Sequence, residues 1–408
     1  MNLLSIGHSQ SGGGLQTVFR INNEIKDEEI NITTAFKSDE ENEADIELKR
    51  VRDGKNIFIK IFNYFFISKN YHSIKRILKE GNIDLIHLHS ASGLSLSLLL
   101  ALRKYKGDTK LVYTSHGYGL VCPNYSCYNY SKNKLCTKCI YKKNEMRIVW
   151  NKCDRRGYVF SFIRFIDLKL RNIITKNNKI FDTVITPSHY LKKLLDDSKY
   201  NFNEVKVVSN PIETVNYSNN RKEDVISYVG RFSEEKNVDL LIQSFSDLVK
   251  IKGYENLKLQ IIGEGREKNN YKKKIKELNL SNKVYISEKF LNKDELTKMI
   301  QPSKVMVLPT GSPETFGLVV LEGIKMKMIP VAYNIGGQAE NIERVGIGEL
   351  YTEMNSKYIK NAIMNALDTY AKSKEQLEKA NIVIDDLFSV KEYNNKIKKI
   401  YFESLKVN

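Results

Sequence analysis

Along its first half the chain repeats one pattern: a short apolar run, a turn rich in Gly, Ser or His, then a stretch with helical spacing of apolar positions. Residues 3–6 run into Ser11-Gly12-Gly13-Gly14 and then a helix-like stretch at 15–25. Residues 83–88 lead to His89-Ser90-Ala91-Ser92-Gly93 and an apolar helix, 111–114 lead to Ser115-His116-Gly117, and 183–186 lead to Pro187-Ser188. The pattern restarts at 225–229, which turns through Gly230-Arg231-Phe232 into a helix at about 237–250. Residues 257–262 end in Gly263-Glu264-Gly265, and 284–287, 305–308 and 329–332 supply further strands. Strands alternating with helices predict parallel sheets covered by helices on both faces.

A chain of 408 residues is too long for one core, so two domains of roughly 200 residues are expected. The polar, Pro-bearing stretch 210–224 reads as their linker. The first domain then covers 1–209, with a cysteine-rich insertion at 122–153, and the second covers 225–389. The basic amphipathic helix at 390–408 is expected to return to the first domain. The apolar run at 94–102 falls far short of the roughly 20 residues of a spanning helix. Residues 1–6 read as a strand and not as a secretory leader, so the expected location is the cytoplasm. The net charge of +17 favours an anionic partner, such as nucleic acid, an acidic membrane surface or a phosphorylated substrate. A solvated basic surface accounts for the same number.

Doubly wound domains bind ligands at the carboxyl ends of their strands, where each chemically suggestive turn falls. Gly12-Gly13-Gly14 lets backbone approach a ligand at a helix start, which suits a phosphate; as a structural feature it is a tight turn. No third glycine stands at the spacing of a dinucleotide fingerprint. Arg231 and Lys236 place two cations in the turn that opens the second domain, suited to a diphosphate leaving group or to a solvated mixed-charge loop. In Gly311-Ser-Pro-Glu314-Thr-Phe-Gly-Leu-Val-Val-Leu-Glu322 the second carboxylate falls inside an apolar helix, where burial is costly without a partner. Ribose hydroxyls would be such partners. Eight helical residues rise roughly 12 Å, about the reach from a sugar across a diphosphate to the ribose. The amides of Thr315, Phe316 and Gly317 would face the phosphates. Two surface carboxylates on an amphipathic helix are the alternative.

That segment resembles the Glu-x7-Glu motif of glycosyltransferase family 4. The likeness extends to Tyr228-Val-Gly-Arg-Phe-Ser-Glu-Glu-Lys-Asn237, Ile261-Ile-Gly-Glu-Gly265 and Gly336-Gly-Gln-Ala-Glu340, and more loosely to Gly13-Gly14, Ile83-Asp-Leu-Ile-His-Leu-His89 and Ser115-His116-Gly117. The resemblance implies an α/β, GT-B architecture of two Rossmann-like domains facing across a deep cleft. It implies a retaining enzyme whose donor is a nucleoside-diphosphate sugar, a UDP- or GDP-sugar. Glu314 would contact donor-sugar hydroxyls, Glu322 the ribose, and Arg231 and Lys236 the diphosphate. Gly13 and Gly14 would close on that diphosphate, His116 would stand beside the reacting centre, and Gly263 would lie near the base. No essential metal is implied. The acceptor would be a saccharide or lipid-linked saccharide, as in lipopolysaccharide or capsule assembly, with no nucleic acid involved. The sequence departs from the family pattern at Gly323-Ile-Lys-Met-Lys-Met-Ile-Pro330 and at Gly117. Two rival readings stay open: a nucleotide-sugar epimerase or phosphorylase on the same fold, and a basic nucleic-acid-binding protein, which gives Glu322 no role.

Other residues carry weaker signals. His87 reads as a mid-strand core residue, while His89 suits either core or cleft. All five cysteines fall between Cys122 and Cys153; Cys136-x-x-Cys139 with Cys122 and Cys153 suits structural zinc, with free thiols or disulfides as alternatives. Aromatics mixed with cations at 57–69 and 142–171 suit either helices packed on the first sheet or a surface resting on an anionic membrane.

Overall fold

The strands Asn2–Ile6, Leu85–His89, Lys110–Thr114 and Thr183–Thr186 are buried along almost their whole length, as strands covered on both faces must be. Among the residues that the computed structural model describes (1–8, 14–25, 27–40, 42–89, 94–142, 145–213, 221–288 and 291–406) they form the centre of a seven-stranded sheet. Its order is Ile46–Glu47, Asn31–Phe36, Asn2–Ile6, Leu85–His89, Lys110–Thr114, Thr183–Thr186 and Val205–Val207, every neighbouring pair parallel. Chain order reverses between Asn2–Ile6 and Leu85–His89, whose register sets Leu3 against Leu85. A second sheet of six parallel strands runs Val284–Ile286, Lys258–Ile262, Glu223–Val229, Ser303–Leu308, Ile329–Tyr333 and Glu349–Tyr351. There the reversal lies between Glu223–Val229 and Ser303–Leu308. In both sheets the reversal point opens a crevice at the carboxyl edge.

The chain divides into two compact units. One comprises Met1–Ser131, Cys136–Pro211 and Val390–Asn408; the other comprises Lys132–Leu135 and Ile212–Ser389. Gly12, Gly13 and residues 214–220 of the expected linker lie outside the described residues. The helix Val390–Lys406 belongs to the first unit for a physical reason: Tyr393, Ile397, Ile400 and Tyr401 pack with Leu3, Val18, Leu85, Val112 and Ile185 on one face of the seven-stranded sheet. The sheet needs that cover, since the five core residues are apolar and buried.

Some boundaries differ from the sequence expectation. The strand expected at 83–88 runs Leu85–His89, so His89 is a strand residue with its side chain in the protein. The helix expected at 237–250 is Val238–Leu248, because Asn237 takes a left-handed conformation (φ 47°) between it and the short turn Glu234–Lys236. The helix in the Glu-x7-Glu segment starts only at Leu318. Four residues separate Leu318 from Glu322, so helical rise supplies about 6 Å of the spacing, and the turn Glu314–Gly317 supplies the rest.

Ile397 is fully buried in the terminal helix. Replacing it by Ala is expected to cost about 2–5 kcal/mol, read as an earlier midpoint in urea unfolding of the first unit's signal. A change within error would mean that the helix does not close the sheet.

Candidate active site

In the second unit, three strand-end loops meet at the reversal point. Gly230–Lys236 follows Glu223–Val229, Gly263–Gly265 follows Lys258–Ile262, and Thr310–Gly317 follows Ser303–Leu308. The first two touch through backbone: Phe232 N donates to Glu264 O (2.8 Å) and Gly230 N to Ile262 O (3.0 Å). Gly263 has φ 152°, and a methyl there would stand 1.9 Å from the Gly230 carbonyl oxygen, so only glycine permits the contact. The first and third are joined by Gly311 N donating to Glu235 O (2.9 Å). These contacts bring Lys236 Nζ against Glu314 Oε1 in an ion pair. Arg231, its side chain 75% exposed, leans toward Glu235 Oε1 at 3.8 Å.

The turn Glu314–Gly317 is clamped by the helix Gly336–Val345. Glu314 N donates to Gln338 Oε1 (2.8 Å), Gly337 N donates to Glu314 O (2.7 Å), and Asn341 Nδ2 donates to Phe316 O (2.7 Å). Phe316 is buried against the Phe388 ring. Gly317 (φ 82°) then opens the helix Leu318–Lys325, whose N-terminus carries a partial positive charge. Glu322 was expected to be enclosed by apolar neighbours. It keeps a partly exposed surface, yet protein crowds its carboxyl enough that burial raises its pKa above the ordinary carboxylate value. Lys293, itself paired with Glu213 at 2.8 Å, opposes that shift.

In the first unit the carboxyl edge holds three buried imidazoles in series. His89 Nδ1 lies 3.3 Å from His116 Nε2, and His89 Nε2 lies 3.2 Å from His87 Nδ1. His87 continues the chain to Tyr401 Oη (2.6 Å) and Thr114 Oγ1 (2.7 Å), and Tyr401 donates to Asn22 Oδ1 (3.1 Å). Because Tyr401 gives its proton to Asn22, it accepts from His87 Nδ1–H, and His87 Nε2 accepts from Thr114. The His89 ring lies tilted over that of His87, centroids 3.9 Å apart, and stacks on the His116 ring at 5.5 Å. Burial holds all three rings neutral, lowering His116 to about 4 and His87 to about 3, and His89 well below its ordinary value.

A model of glycosyltransferase family 4 matches residues 11–216, half of the chain, and one of glycosyl transferases group 1 matches residues 211–382. The chain belongs to glycosyltransferase family 4. It is 24% identical to an uncharacterised glycosyltransferase of Methanocaldococcus jannaschii, over 89% of this chain and 87% of that one. Among solved structures it resembles a sucrose-phosphate synthase from Thermosynechococcus elongatus, with a TM-score of 0.70, 15% identity and full coverage of both chains. It also resembles Anabaena HepE in complex with UDP-glucose, with a TM-score of 0.68, 16% identity, and 99% and 100% of the two chains covered. The fold is GT-B and the chain is a glycosyltransferase.

Of the residues this family motif singles out, Arg231, Lys236, Gly263, Glu314, Thr315, Phe316, Gly317 and Glu322 lie in the second unit, and all but Glu322 lie in the three joined loops. Gly14 (φ 60°) precedes the helix Leu15–Asn23 in the first unit, where His116 follows the strand Lys110–Thr114. Gly13 lies outside the described residues. Sequence reasoning missed Gln338 and Glu235 as supports of the loops; Gln338 sits in the Gly336-Gly-Gln stretch, and that position was its only signal. It also missed Tyr401, which no local pattern ties to His87, 314 residues away.

The cysteines are free thiols, which leaves disulfides out of this structure. Cys122, Cys136, Cys139 and Cys153 line one small cavity with Asn124 and Tyr128. Among the described residues no three His, Cys, Asp or Glu side chains are grouped as a metal ion requires. Cys122 Sγ donates to Asn124 Oδ1 (3.0 Å); its hydrogen bond with Cys127 lowers its thiol to about 7, whereas burial pushes Cys139 and Cys153 up to about 12.

The imidazole series predicts an acid-sensitive fold. An unfolded chain protonates histidines near 6.5, whereas the folded one resists to about 4, so the stability due to neutral burial is complete above pH 6.5 and is lost as pH falls toward 4. Three such groups give a slope of at most about 4 kcal/mol per pH unit. Urea unfolding followed from about pH 7 to about pH 4.5 is expected to show proton uptake on unfolding. The uptake should fall by about one proton in His89→Gln. A flat profile would contradict the buried neutral rings.

Proposed function

We propose that this glycosyltransferase moves a sugar from a UDP- or GDP-sugar to a hydroxyl of a saccharide or lipid-linked saccharide acceptor, with retention, in the assembly of a surface polysaccharide or glycolipid. Such a donor ties the work to the cytoplasm. The observation that carries the donor site is the Lys236–Glu314 pair at the joined loops, directly before the N-terminus of the helix Leu318–Lys325. The likeness to HepE in its complex with UDP-glucose supports a nucleotide-sugar donor.

In this reading the bond from the anomeric carbon to the terminal phosphate oxygen breaks as the bond to the acceptor oxygen forms on the same face. The acceptor's proton passes to the departing phosphate. Arg231, Lys236 and the helix N-terminus take the charge that develops there, with no metal required. Glu314, released from Lys236, accepts from sugar hydroxyls, and Glu322 accepts from the ribose. Neutral His116 stands beside the reacting centre, with His89 holding its ring.

The first test is thermal stabilisation by UDP, GDP, ADP and CMP, with and without EDTA, on wild type and Glu322→Ala. A nucleotide at a hundred times its dissociation constant is expected to stabilise the fold by about 2.7 kcal/mol. A shift with UDP or GDP, kept in EDTA and lost in Glu322→Ala, is the expected result. Silence across the panel would sink the donor-site assignment. In turnover assays, Lys236→Met is expected to lower kcat by roughly 10²–10³-fold. An unchanged kcat would take Lys236 off the diphosphate.

A further inference from the structure

The helix Ile57–Phe65 is apolar on nearly every side and buries none of its residues. Phe58 is 79% exposed and Phe62 62%. It packs beside the start of the helix Tyr158–Ile174, where Arg156 Nη2 donates to Tyr64 Oη (3.4 Å) and the Arg164 guanidinium lies over the Tyr64 ring. That second helix exposes Tyr158, Val159 (68%) and Phe162, and the short helix Arg147–Trp150 packed on it exposes Trp150 (66%). A face of this size and character is unusual for a surface left to water.

Its charge is one-sided. Residues 55–66 and 146–166 hold seven Lys and Arg and a single acid, Asp154. Asp154 is buried and turned inward, accepting from Arg156 (2.7 Å) and Arg164 (3.3 Å). The outward charge is thus positive, carried by the exposed Lys55, Lys60, Lys152 and Arg155 around the aromatic rings. Aromatic and aliphatic tips ringed by cations, with the bordering Asp53 paired to Arg50 at 3.5 Å, complement a layer of anionic headgroups over hydrocarbon. The helices lie on the surface of the first unit; no described helix is long and apolar enough to cross a membrane.

We propose that this face of the first unit rests on an anionic lipid bilayer. Phe58, Phe62 and Val159 enter the headgroup–acyl boundary, Trp150 and Tyr158 sit at its polar edge, and the four exposed cations meet lipid phosphates. The contact holds the enzyme at the surface whatever sugar it transfers.

The full chain is mixed with vesicles of phosphatidylcholine alone and of phosphatidylcholine with phosphatidylglycerol, then floated on a density gradient. Binding is expected only with phosphatidylglycerol, weakened by salt, and reduced at least about tenfold in Phe58→Glu/Phe62→Glu and in Lys152→Glu/Arg155→Glu. Thermal shift by the donor nucleotide, measured on the same preparations, reports folding and the donor site separately from lipid binding. No flotation of a wild type that still binds nucleotide overturns the proposal, as does equal flotation of all variants. Concentration-dependent dimerisation abolished by Phe58→Glu/Phe62→Glu, without vesicle binding, would likewise overturn it in favour of an interface between copies.

Discussion

Backbone pressed directly on backbone holds the carboxyl edge of the second sheet. Gly263 lies so close to the Gly230 carbonyl that a methyl would occupy the same space, and a Cβ on Gly337 would stand 2.5 Å from Phe316 Cα. Contacts this close tie the spacing of the loops to the sheet, and the Gln338 and Asn341 side chains clamp the turn that carries Glu314. Such an arrangement suits chemistry in which donors must already stand where charge develops. It also explains why glycines, and not only charged residues, recur in the stretches that resemble the family.

The first unit achieves order differently, through a polar series inside an apolar core. His87, His89 and His116 would each be costly to bury alone, but each ring nitrogen in the series from Tyr401 to His116 Nε2 finds a complementary neighbour. The terminal helix is part of that arrangement, since it supplies Tyr401 as well as Ile397 and Ile400. One segment thus closes the sheet and holds the His87 ring more than 300 residues earlier in the sequence.

The central strands were legible because burial on both faces demands continuous apolar runs, as in Leu85-Ile-His-Leu-His89 and Val305–Leu308. The strand Asn31–Phe36, next to the sheet's edge, and the edge strand Glu349–Tyr351 were not. Half-covered strands such as Asn-Ile-Thr-Thr mix polar and apolar residues and look like loop. In the donor region the charged residues stood out, and their proximity in the fold followed from the strand order. What escaped was the support: the Gln338 side chain accepts from Glu314 N and the Glu235 carbonyl accepts from Gly311 N, contacts that local sequence does not encode. The burial read for Glu322 from its apolar helix agrees with the crowding that raises its pKa, although the helix starts only at Leu318 and the residue keeps some exposed surface.

The pairing of Lys236 with Glu314 and the leaning of Arg231 toward Glu235 bear on how such a site discriminates. A cation that awaits an anion in a partly buried loop needs a partner meanwhile, and a neighbouring carboxylate is the available one. On the proposed reading, a diphosphate that draws Lys236 away leaves Glu314 without its counter-ion. A bare nucleotide offers that carboxylate nothing in return. A nucleotide sugar offers hydroxyls at the same place, so the cost of splitting the pair is recovered only when the sugar is attached. On that reading the ion pair links recognition of the leaving group to recognition of the group transferred. A site of this design should prefer the intact donor over its product, which favours release of the diphosphate once the sugar has moved on.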